Sequence, residues 1–300
     1  MDLLSQLLSL LKPESYVSGG VMLAPERSVQ WPSHDGVKCY AIVSGECWLA
    51  VEGGAPLRLQ KGDCFLLPPG PAFRLATALS APTVDFTRVR TGMVSAAAEV
   101  QDAASGCLLA GGHFLLAGRA AKMLLDPLPT VVHIRNPADR AAMQWALERM
   151  VEEIRAPQPG SALIVQQLAF MLLIQALRLY ASSSENTGWL AALRNKKLAA
   201  ALVSMHQHPE QKWTLAQLAG EAGMSRAVFA RRFKQTVGIA PVDYLTQWRM
   251  LLACERLTHS DDTIAQVAAA SGYESESAFA KAFKRVIGCP PGKIAAPRRG

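Results

Sequence analysis

The sequence predicts an α+β protein in which a β-rich first part is followed by helices. Two observations support this prediction. Short apolar runs bounded by glycine and proline fill the first 135 residues, and one helical pattern occurs twice in the last hundred. We therefore expect a β-barrel over residues 1–135, a helical segment over 136–188 and an all-α domain over 189–300.

Strand-like runs in the first segment alternate with turn residues. Lys38–Val43 and Cys47–Val51 flank Ser44-Gly45, and a later run enters a Pro-Pro-Gly turn at residues 68–70. Apolar runs bounded by such turn residues are typical of strands. Cys107–Leu116 carries two glycines at its centre, so we expect a pair of strands there.

The middle segment has helix signals and one long apolar stretch. Asn136 and Pro137 predict a helix start, and the Pro-Gln-Pro-Gly of residues 157–160 predicts its end. Ala162–Ala181 has the length of a membrane span, but its three glutamines and one arginine would be costly in lipid. We therefore expect a buried or dimer-facing helix there, followed by an interdomain hinge at residues 182–188.

The repeated pattern predicts two helix-turn-helix units. One copy runs from Thr214 to Gly238 and the other from Thr263 to Gly288. In each copy, threonine followed three residues later by glutamine predicts a capping box, and a glycine suits the turn, which needs positive φ. A serine then begins a second helix, which has phenylalanines at i and i+4 and ends at the last glycine. The apolar spacing of Val242–Leu257 predicts a linker helix between the units.

Basic residues are concentrated in this last domain. The chain has 31 Lys and Arg against 24 Asp and Glu, which gives a net charge of +7. Residues 196–300 hold 15 of the basic and 8 of the acidic residues, so residues 1–195 hold 16 of each and are neutral. Positive charge confined to one domain is expected of a surface that binds phosphates, so double-stranded DNA is the predicted partner.

Residues 196–296 resemble the tandem helix-turn-helix domain of the AraC/XylS family of bacterial transcription regulators. The resemblance rests on Ala240–Leu245, Trp248-Arg249-Met250, Gly272–Ser277 and Phe279–Lys284. It implies that the second helix of each unit enters one of two successive major grooves. The base-reading residues that it implies are Arg226, Ala227, Ala230, Arg231, Ser277, Ala278 and Lys281. The phosphate contacts that it implies are Ser225, Arg232, Lys234, Ser275, Lys284 and Arg285.

The end of this domain departs from the family pattern. The family usually closes with a Tyr-Arg pair after the last proline turn, whereas this chain has Ile294-Ala295. The departure implies looser packing of the final turn or fewer contacts with phosphate.

The first segment resembles the cupins, small β-barrels that many AraC/XylS regulators carry as their effector domain. Gly45, Gly62-Asp63 and Pro68–Gly70 carry this resemblance. Metal-binding cupins have a histidine after that last turn, where this chain has Phe73, and only His34 lies nearby. Since catalytic metal sites generally need three protein ligands, we expect no metal, no cofactor and no enzymatic activity. The histidines at 206 and 208 are expected to be solvated at a helix end.

The sequence leaves the chemistry of the signal open. A small organic effector would need a pocket, for which the expected lining is Tyr40, Trp48, Phe65, Phe73 and Arg74. An oxidant would need an exposed thiolate, for which Cys39, Cys64 and Cys107 are the candidates. The six cysteines follow no disulfide or metal-site spacing, so the core is their alternative location.

These observations predict a sequence-specific transcription regulator, an activator, controlled by a signal at its cupin-like barrel. The alternatives are a regulator without an effector, active by abundance, and a cupin enzyme with an appended DNA-binding module. The expected partners are double-stranded DNA, RNA polymerase, a small-molecule or oxidant signal and a second copy of the chain. The first residues lack the basic start and cleavage site of a signal peptide, so we expect a cytoplasmic protein without a membrane span.

Overall fold

The structure is a computed structural model that describes residues 3–10, 13–87, 106–116, 118–182 and 188–294, without the side chains of residues 13–17 and 118–119. It divides into two compact units. The sheet unit comprises residues 12–117 and 128–184, and the helical unit comprises residues 1–11, 118–127 and 185–300. Residues 1–11 and 118–127 therefore belong to the helical unit, whereas the sequence predicted that they belong to the β-rich segment 1–135. The predicted hinge at residues 182–188 lies mostly outside the described residues.

The described part of the sheet unit contains ten strands and two helices, and its β-rich character confirms the predicted fold class. The strands are β1 (Pro13–Leu23), β2 (Ser28–Trp31), β3 (Val37–Ser44), β4 (Glu46–Val51), β5 (Leu57–Gln60), β6 (Cys64–Leu67), β7 (Phe73–Ala76), β8 (Thr83–Asp85), β9 (Cys107–Leu116) and β10 (Val132–Ile134).

The strands form two five-stranded sheets with a shared core. Sheet A has the order β1-β9-β3-β6-β10 and sheet B the order β5-β4-β7-β2-β8, with β2 and β8 parallel and the other pairs antiparallel. Alternate residues of both sheets enter one apolar cluster, which includes Ile42, Leu49, Phe65, Leu75 and Leu109. Since successive side chains of a strand point to opposite faces, the residues between these face outward from the core.

The run Cys107–Leu116 is one continuous strand, so the predicted pair of strands is wrong. Gly111 and Gly112 are not at a turn. A Cβ on Gly111 would lie 2.0 Å from the carbonyl oxygen of Cys39 on the neighbouring strand β3. Gly111 therefore allows close approach between strands, which a sequence pattern cannot distinguish from a turn signal.

Two helices cover the outer face of sheet A. Asn136 accepts from the amide of Ala138 and begins α3 (Pro137–Arg155), and α4 (Ser161–Ser182) follows. Helix α4 is apolar and long enough to cross a membrane, yet it packs on sheet A: a Cβ on Gly112 would contact Ala169 of α4 at 3.2 Å. One side of this helix is buried against the sheet, in agreement with the first of the two predicted alternatives.

A buried carboxylate links α3 to the barrel. Asp63 is 3% exposed and accepts hydrogen bonds from the amide of Gln60 at 3.0 Å and from Arg140 of α3. Its Oδ2 lies 3.1 Å from Nε2 of His133 on β10. A buried charge is tolerated only with such partners, so this network fixes α3 on the barrel.

The helical unit contains two helix-turn-helix units joined by a long helix. Its helices are α1 (Leu3–Ser9), α2 (Gly118–Leu125), α5 (Gly188–Arg194), α6 (Lys196–Gln207), α7 (Leu215–Glu221), α8 (Arg226–Val237), α9 (Pro241–His259), α10 (Ile264–Ala270) and α11 (Glu276–Ile287), followed by a 3-10 turn at Pro291–Lys293. Helices α7 and α8 form the first helix-turn-helix unit, α10 and α11 the second, and α9 is the predicted linker helix.

The local signals at the helix ends are confirmed. Thr214 and Thr263 both form complete capping boxes with the glutamine three residues later. The turn glycines Gly223 and Gly272 have φ of 56° and 77°, in the region that favours glycine. The hydrogen bonds that define these ends are local, which explains why the sequence could predict them.

Candidate nucleic-acid interface

The second helix of each unit, α8 or α11, is capped at both ends. The hydroxyls of Ser225 and Ser275 accept from amides three residues later, at 3.4 and 3.2 Å. Gly238 and Gly288 end the helices with φ of 92° and 94°. Each helix therefore presents three turns of defined length, and each capping serine keeps its hydroxyl hydrogen for a phosphate.

Two phenylalanines decide which side of each helix faces solvent. Phe229 and Phe233 of α8 and Phe279 and Phe283 of α11 are fully buried. Residues at i and i+4 lie on one side of a helix, so the opposite side is free for a partner.

The residues implied as DNA contacts lie at the surface of these two helices. All are exposed except Ala230, which is partly buried: Ser225, Arg226, Ala227, Arg231, Arg232, Lys234, Ser275, Ser277, Ala278, Lys281, Lys284 and Arg285. Helical phase puts Ala227, Arg231 and Lys234 opposite the buried phenylalanines in α8. Ser277 and Lys281 occupy the same position in α11.

Arg226 has a different position from the one expected. It precedes Phe229 by three residues and Phe233 by seven, so it lies on the core side of α8. The side chain is exposed because it belongs to the first turn, before the first core residue. Arg226 therefore sits at the N-terminal edge of the surface and not on its centre line.

The cations of these helices have no acidic partners. Within the described part of the chain, no ion pair involves the seven residues that we name the basic surface: Arg226, Arg231, Arg232, Lys234, Lys281, Lys284 and Arg285. Elsewhere in the same unit, Lys212 pairs with Glu274 and Arg256 with Asp262. Unpaired cations are free to bind phosphates and release counterions on doing so.

Arg249 of the linker helix holds the two units together, which sequence reasoning did not identify. Its Nε donates to the carbonyl of Pro209 at 2.5 Å and its Nη2 to the carbonyl of Gln211 at 2.8 Å, both in the loop that leads into the first unit. Its guanidinium also lies 5.8 Å from the ring centroid of Tyr273, in the turn of the second unit. Arg249 therefore bridges the units.

The backbones of the two units also approach each other closely. A Cβ on Gly272, in the turn of the second unit, would lie 2.3 Å from the carbonyl oxygen of Glu210, in the loop that leads into the first unit. An exposed ion pair between Lys212 and Glu274 spans the same contact. Together with Arg249, these contacts set the separation of α8 and α11.

His206 is buried, so the expectation that it is solvated is wrong. Its ring stacks on Trp248 with centroids 3.9 Å apart, and its nitrogens lie 2.7 Å from the hydroxyl of Tyr244 and 3.0 Å from Oε1 of Gln6. Burial lowers the pKa of His206 to about 3, so the ring is neutral. His208, two residues later, is exposed as expected.

The structure separates the five residues expected to line an effector pocket. Tyr40, Phe65 and Phe73 belong to or pack against the core between the sheets, and burial raises the pKa of Tyr40 to about 12. Trp48 lies between the core residues Cys47 and Leu49 of β4, and Arg74 between Phe73 and Leu75 of β7, so both face away from that core. These five side chains therefore do not line one cavity.

The three candidate redox cysteines are fully buried. Cys39 and Cys64 have their sulfurs 3.9 Å apart on the α4 side of sheet A, and Cys107 lies in the core between the sheets. The neighbouring Cys39 thiol and burial raise the pKa of Cys64 well above its usual value. Oxidant sensors need accessible thiolates, so these positions favour the core alternative.

A groove of about 720 Å3 lies on the sheet unit beside α3. Its apolar lining includes Met143, Leu147 and Val151, and Arg140 and Arg155 also line it. None of the five expected effector residues lines this groove. Among the described residues, no group of three His, Cys, Asp or Glu side chains is arranged to hold a metal ion.

Comparison with known proteins accounts for both units. The profile of a cupin family matches residues 2–182, and that of a helix-turn-helix domain matches residues 218–296. An AraC-like transcription regulator of Streptomyces lividans is 39% identical over 302 residues, which cover 97% of each chain. The chain belongs to the AraC family of transcription regulators. A second AraC-like regulator, from Streptomyces antibioticus, is 38% identical with the same coverage.

Among solved structures, the DNA-binding domain of AdpA in complex with a target DNA is similar to about a third of this AraC-family chain. It is 33% identical, covers 32% of this chain and 86% of its own, and has a TM-score of 0.31. The predicted family, the cupin-like first part and the function as a DNA-binding transcription regulator are confirmed.

Proposed function

We propose that α8 and α11 read base edges in two successive major grooves of double-stranded DNA, with Arg231 and Lys281 at the centre of each contact. One observation carries this proposal: the exposed side of each helix bears unpaired cations and small side chains, opposite buried phenylalanines. Arginine can bind guanine O6 and N7 together, while the methyl group of alanine can contact thymine. Arg232, Lys234, Lys284 and Arg285 bind phosphates in this proposal, because they flank the base-reading residues.

A binding selection on random DNA tests the assignment of Arg231. Arg231→Ala should weaken binding to the selected site by about 1–3 kcal/mol and relax the preference at one base position. Arg27→Ala is the matched control, because Arg27 is exposed in the loop before β2, outside both the helix-turn-helix units and the helices α3 and α4. Uniform weakening with an unchanged base preference would make Arg231 a phosphate contact and contradict its base-reading role.

We also propose that the protein is a cytoplasmic homodimer and that its two copies contact each other through α3 and α4. The support is an exposed apolar set on these helices: Trp145 is 66% exposed, Leu163 65%, Ile164 40% and Met171 38%. The last three lie on one side of α4, at i, i+1 and i+8 from Leu163. Large exposed apolar patches rarely remain uncovered in soluble proteins.

Light scattering coupled to gel filtration tests the dimer. Leu163→Glu should convert a dimer of the full chain into a monomer that still binds DNA through one copy. Leu79→Glu is the control, because Leu79 is 38% exposed in a loop after β7. A wild-type protein that is monomeric at micromolar concentration would contradict the proposal.

We infer that a signal at the barrel controls the regulator and that the barrel has no catalytic role. Phe73 stands where metal-binding cupins have a histidine, which supports a sensing function over metal chemistry. A reporter driven by a DNA site obtained from the selection tests the direction of control, since an activator that recruits RNA polymerase raises expression above the level without the protein. Expression below that level would make the protein a repressor.

A further inference from the structure

One end of the barrel holds a cluster of nitrogen-bearing side chains that neither sheet packing nor the DNA-binding function uses. Lys38 on β3 and His113 on β9 are directly opposite each other in sheet A. Both alternate with residues of the outer face and therefore point to the inner side of the sheet. His34 lies in the loop before β3, and its ring centroid is 6.2 Å from that of His113.

Backbone hydrogen bonds hold the loop of His34 at this position. The amide of His34 donates to the carbonyl of Gly70 at 3.1 Å, and the amide of Gly70 donates back at 3.0 Å. The rings of His34 and Phe73 are in a T-shaped arrangement, with their centroids 5.6 Å apart. The cluster is therefore part of the folded barrel end, framed by the loop before β3, the turn before β7 and the end of β9.

Lys38 is buried without an ion-pair partner among the described residues. It is 8% exposed, and no described carboxylate forms an ion pair or hydrogen bond with it. Its Nζ lies 5.8 Å from the ring centroid of Phe73. Burial lowers the pKa of Lys38 to about 8, so most of the ammonium stays charged at neutral pH. A buried charge in this state is costly unless a partner arrives.

The two histidines add unsatisfied nitrogens at the same place. Nε2 of His113 and both ring nitrogens of His34 are inaccessible to solvent and make no well-formed hydrogen bond, although the carbonyls of Leu67 and Pro68 lie near His34. Burial, reinforced by the charge of Lys38, lowers the pKa of both histidines to about 4, and the exposed carboxylate of Asp35 opposes this shift only in part. Each neutral imidazole therefore carries one N–H that can donate to an acceptor.

We propose that this barrel end binds the carboxylate of a small organic acid, with Lys38 as its counter-charge and His34 and His113 as hydrogen-bond donors. An anion neutralises the buried ammonium and satisfies the imidazole N–H groups in one step, whereas a cation would be repelled by Lys38. The face of Phe73 lies beside the site and offers an apolar contact for the body of the acid. The proposal deepens the sensing role proposed above and rests on it for its regulatory meaning.

Calorimetric titration of the full chain at pH 7 tests the site with a defined panel of probes. Acetate, hexanoate and benzoate supply the carboxylate, hexanamide and benzamide are neutral matches, and inorganic phosphate is a different anion. We expect at least one carboxylate to bind and its amide not to bind. Lys38→Met should weaken that binding about ten- to a hundred-fold, the usual range for one hydrogen bond to a charged group. Lys122→Met, which removes an exposed lysine, should leave it unchanged.

The Tm of Lys38→Met without ligand shows whether the substitution damages the fold. Because Lys38 is unpaired, Lys38→Met should keep or raise the Tm of the protein without ligand. A lower Tm would show that Lys38 has a structural partner and would overturn the proposal. So would the absence of binding by every carboxylate, equal binding of the amides, or equal binding by Lys38→Met. Phosphate binding as tight as the best carboxylate would overturn the assignment to organic acids.

Measuring DNA affinity with and without the bound acid tests the carboxylate site and the proposed regulatory function separately. A Lys38-dependent change in DNA affinity supports both. Lys38-dependent binding that leaves DNA affinity and reporter output unchanged supports the site and contradicts its role as the signal. Failure of the wild-type protein to bind any selected DNA would contradict the proposed function without affecting the calorimetric result.

Discussion

Replacing Arg249 by methionine is expected to weaken DNA binding only where both helix-turn-helix units engage the duplex. Arg249 donates to the carbonyls of Pro209 and Gln211, in the loop before the first unit, and lies against Tyr273 of the second. Methionine keeps the apolar stem of the side chain and removes both donors. The two units should then vary in separation while each remains folded around its own phenylalanines.

The size of the effect follows from the two hydrogen bonds. A hydrogen bond from a charged group contributes about 1.5–3 kcal/mol when it is well buried. Arg249 is only partly buried, so about 1 kcal/mol for each bond is the appropriate scale, or about 2 kcal/mol for the bridge. If all of this coupling is lost from the bound state, affinity for a complete site falls by about thirty-fold.

Fluorescence anisotropy on two DNA fragments measures this coupling. One fragment carries the complete selected site, and the other carries only the half contacted by the first unit. We expect Arg249→Met to lose up to about thirty-fold on the complete site and less than about two-fold on the half site. Arg256→Met is the matched control, because Arg256 lies on the same helix and forms an exposed ion pair with Asp262. Equal losses on both fragments, or an equal effect of Arg256→Met, would refute the bridging role of Arg249.

Four further outcomes are expected. Lys284→Ala should lower the slope of log affinity against log salt by about one, as measured in salt titrations, whereas an unchanged slope and affinity would show a solvated lysine. Because the pKa of His206 is about 3 in the folded chain, the unfolded chain takes up a proton below about pH 6.5 that the folded chain does not. The free energy of unfolding should therefore fall as pH decreases from about 6.5 towards 3, by up to about 1.4 kcal/mol per pH unit. Denaturant melts of His206→Gln should show a smaller fall over the same range. Gly111→Ala should destabilise the barrel by about 1–3 kcal/mol in denaturant melts, because its Cβ meets a β3 carbonyl, while Gly54→Ala, with ordinary contacts, should change little. Changing all four buried barrel cysteines to serine should leave reporter induction by an organic acid intact, and loss of an oxidant response in that strain would instead support thiol sensing.

Much of the DNA-binding surface could be predicted from the sequence because its determinants are local. Capping boxes and the spacing of Phe229 and Phe233 each involve residues within one helical turn or two. Such patterns fix helix ends and the direction of the exposed side without reference to the rest of the chain. The same periodicity could have shown that Arg226 lies on the core side of α8, since its distances from the two phenylalanines are three and seven residues.

The barrel interior was harder to predict because strand faces depend on register. Cys47 to Val51 is apolar at every position, so the sequence could not show that Trp48 faces outward while its neighbours face the core. At Arg74 the alternation with Phe73 and Leu75 was present and could have excluded that residue from a pocket. At Gly111 the sequence pattern indicates a turn, because close approach by a strand that is distant in the chain leaves no local signal.

The sequence by itself determined the two repeated units, their capped helices, the basic excess and the cupin-like turns, since each of these depends on neighbouring residues or on composition. Only the tertiary structure decided that His206 is a neutral core residue, that Arg249 donates to a loop about forty residues earlier in the chain, and that Lys38 meets two histidines without an ion-pair partner among the described residues. Burial and partner choice are set by segments that meet only after folding. For ionisable side chains these two quantities decide both charge state and function.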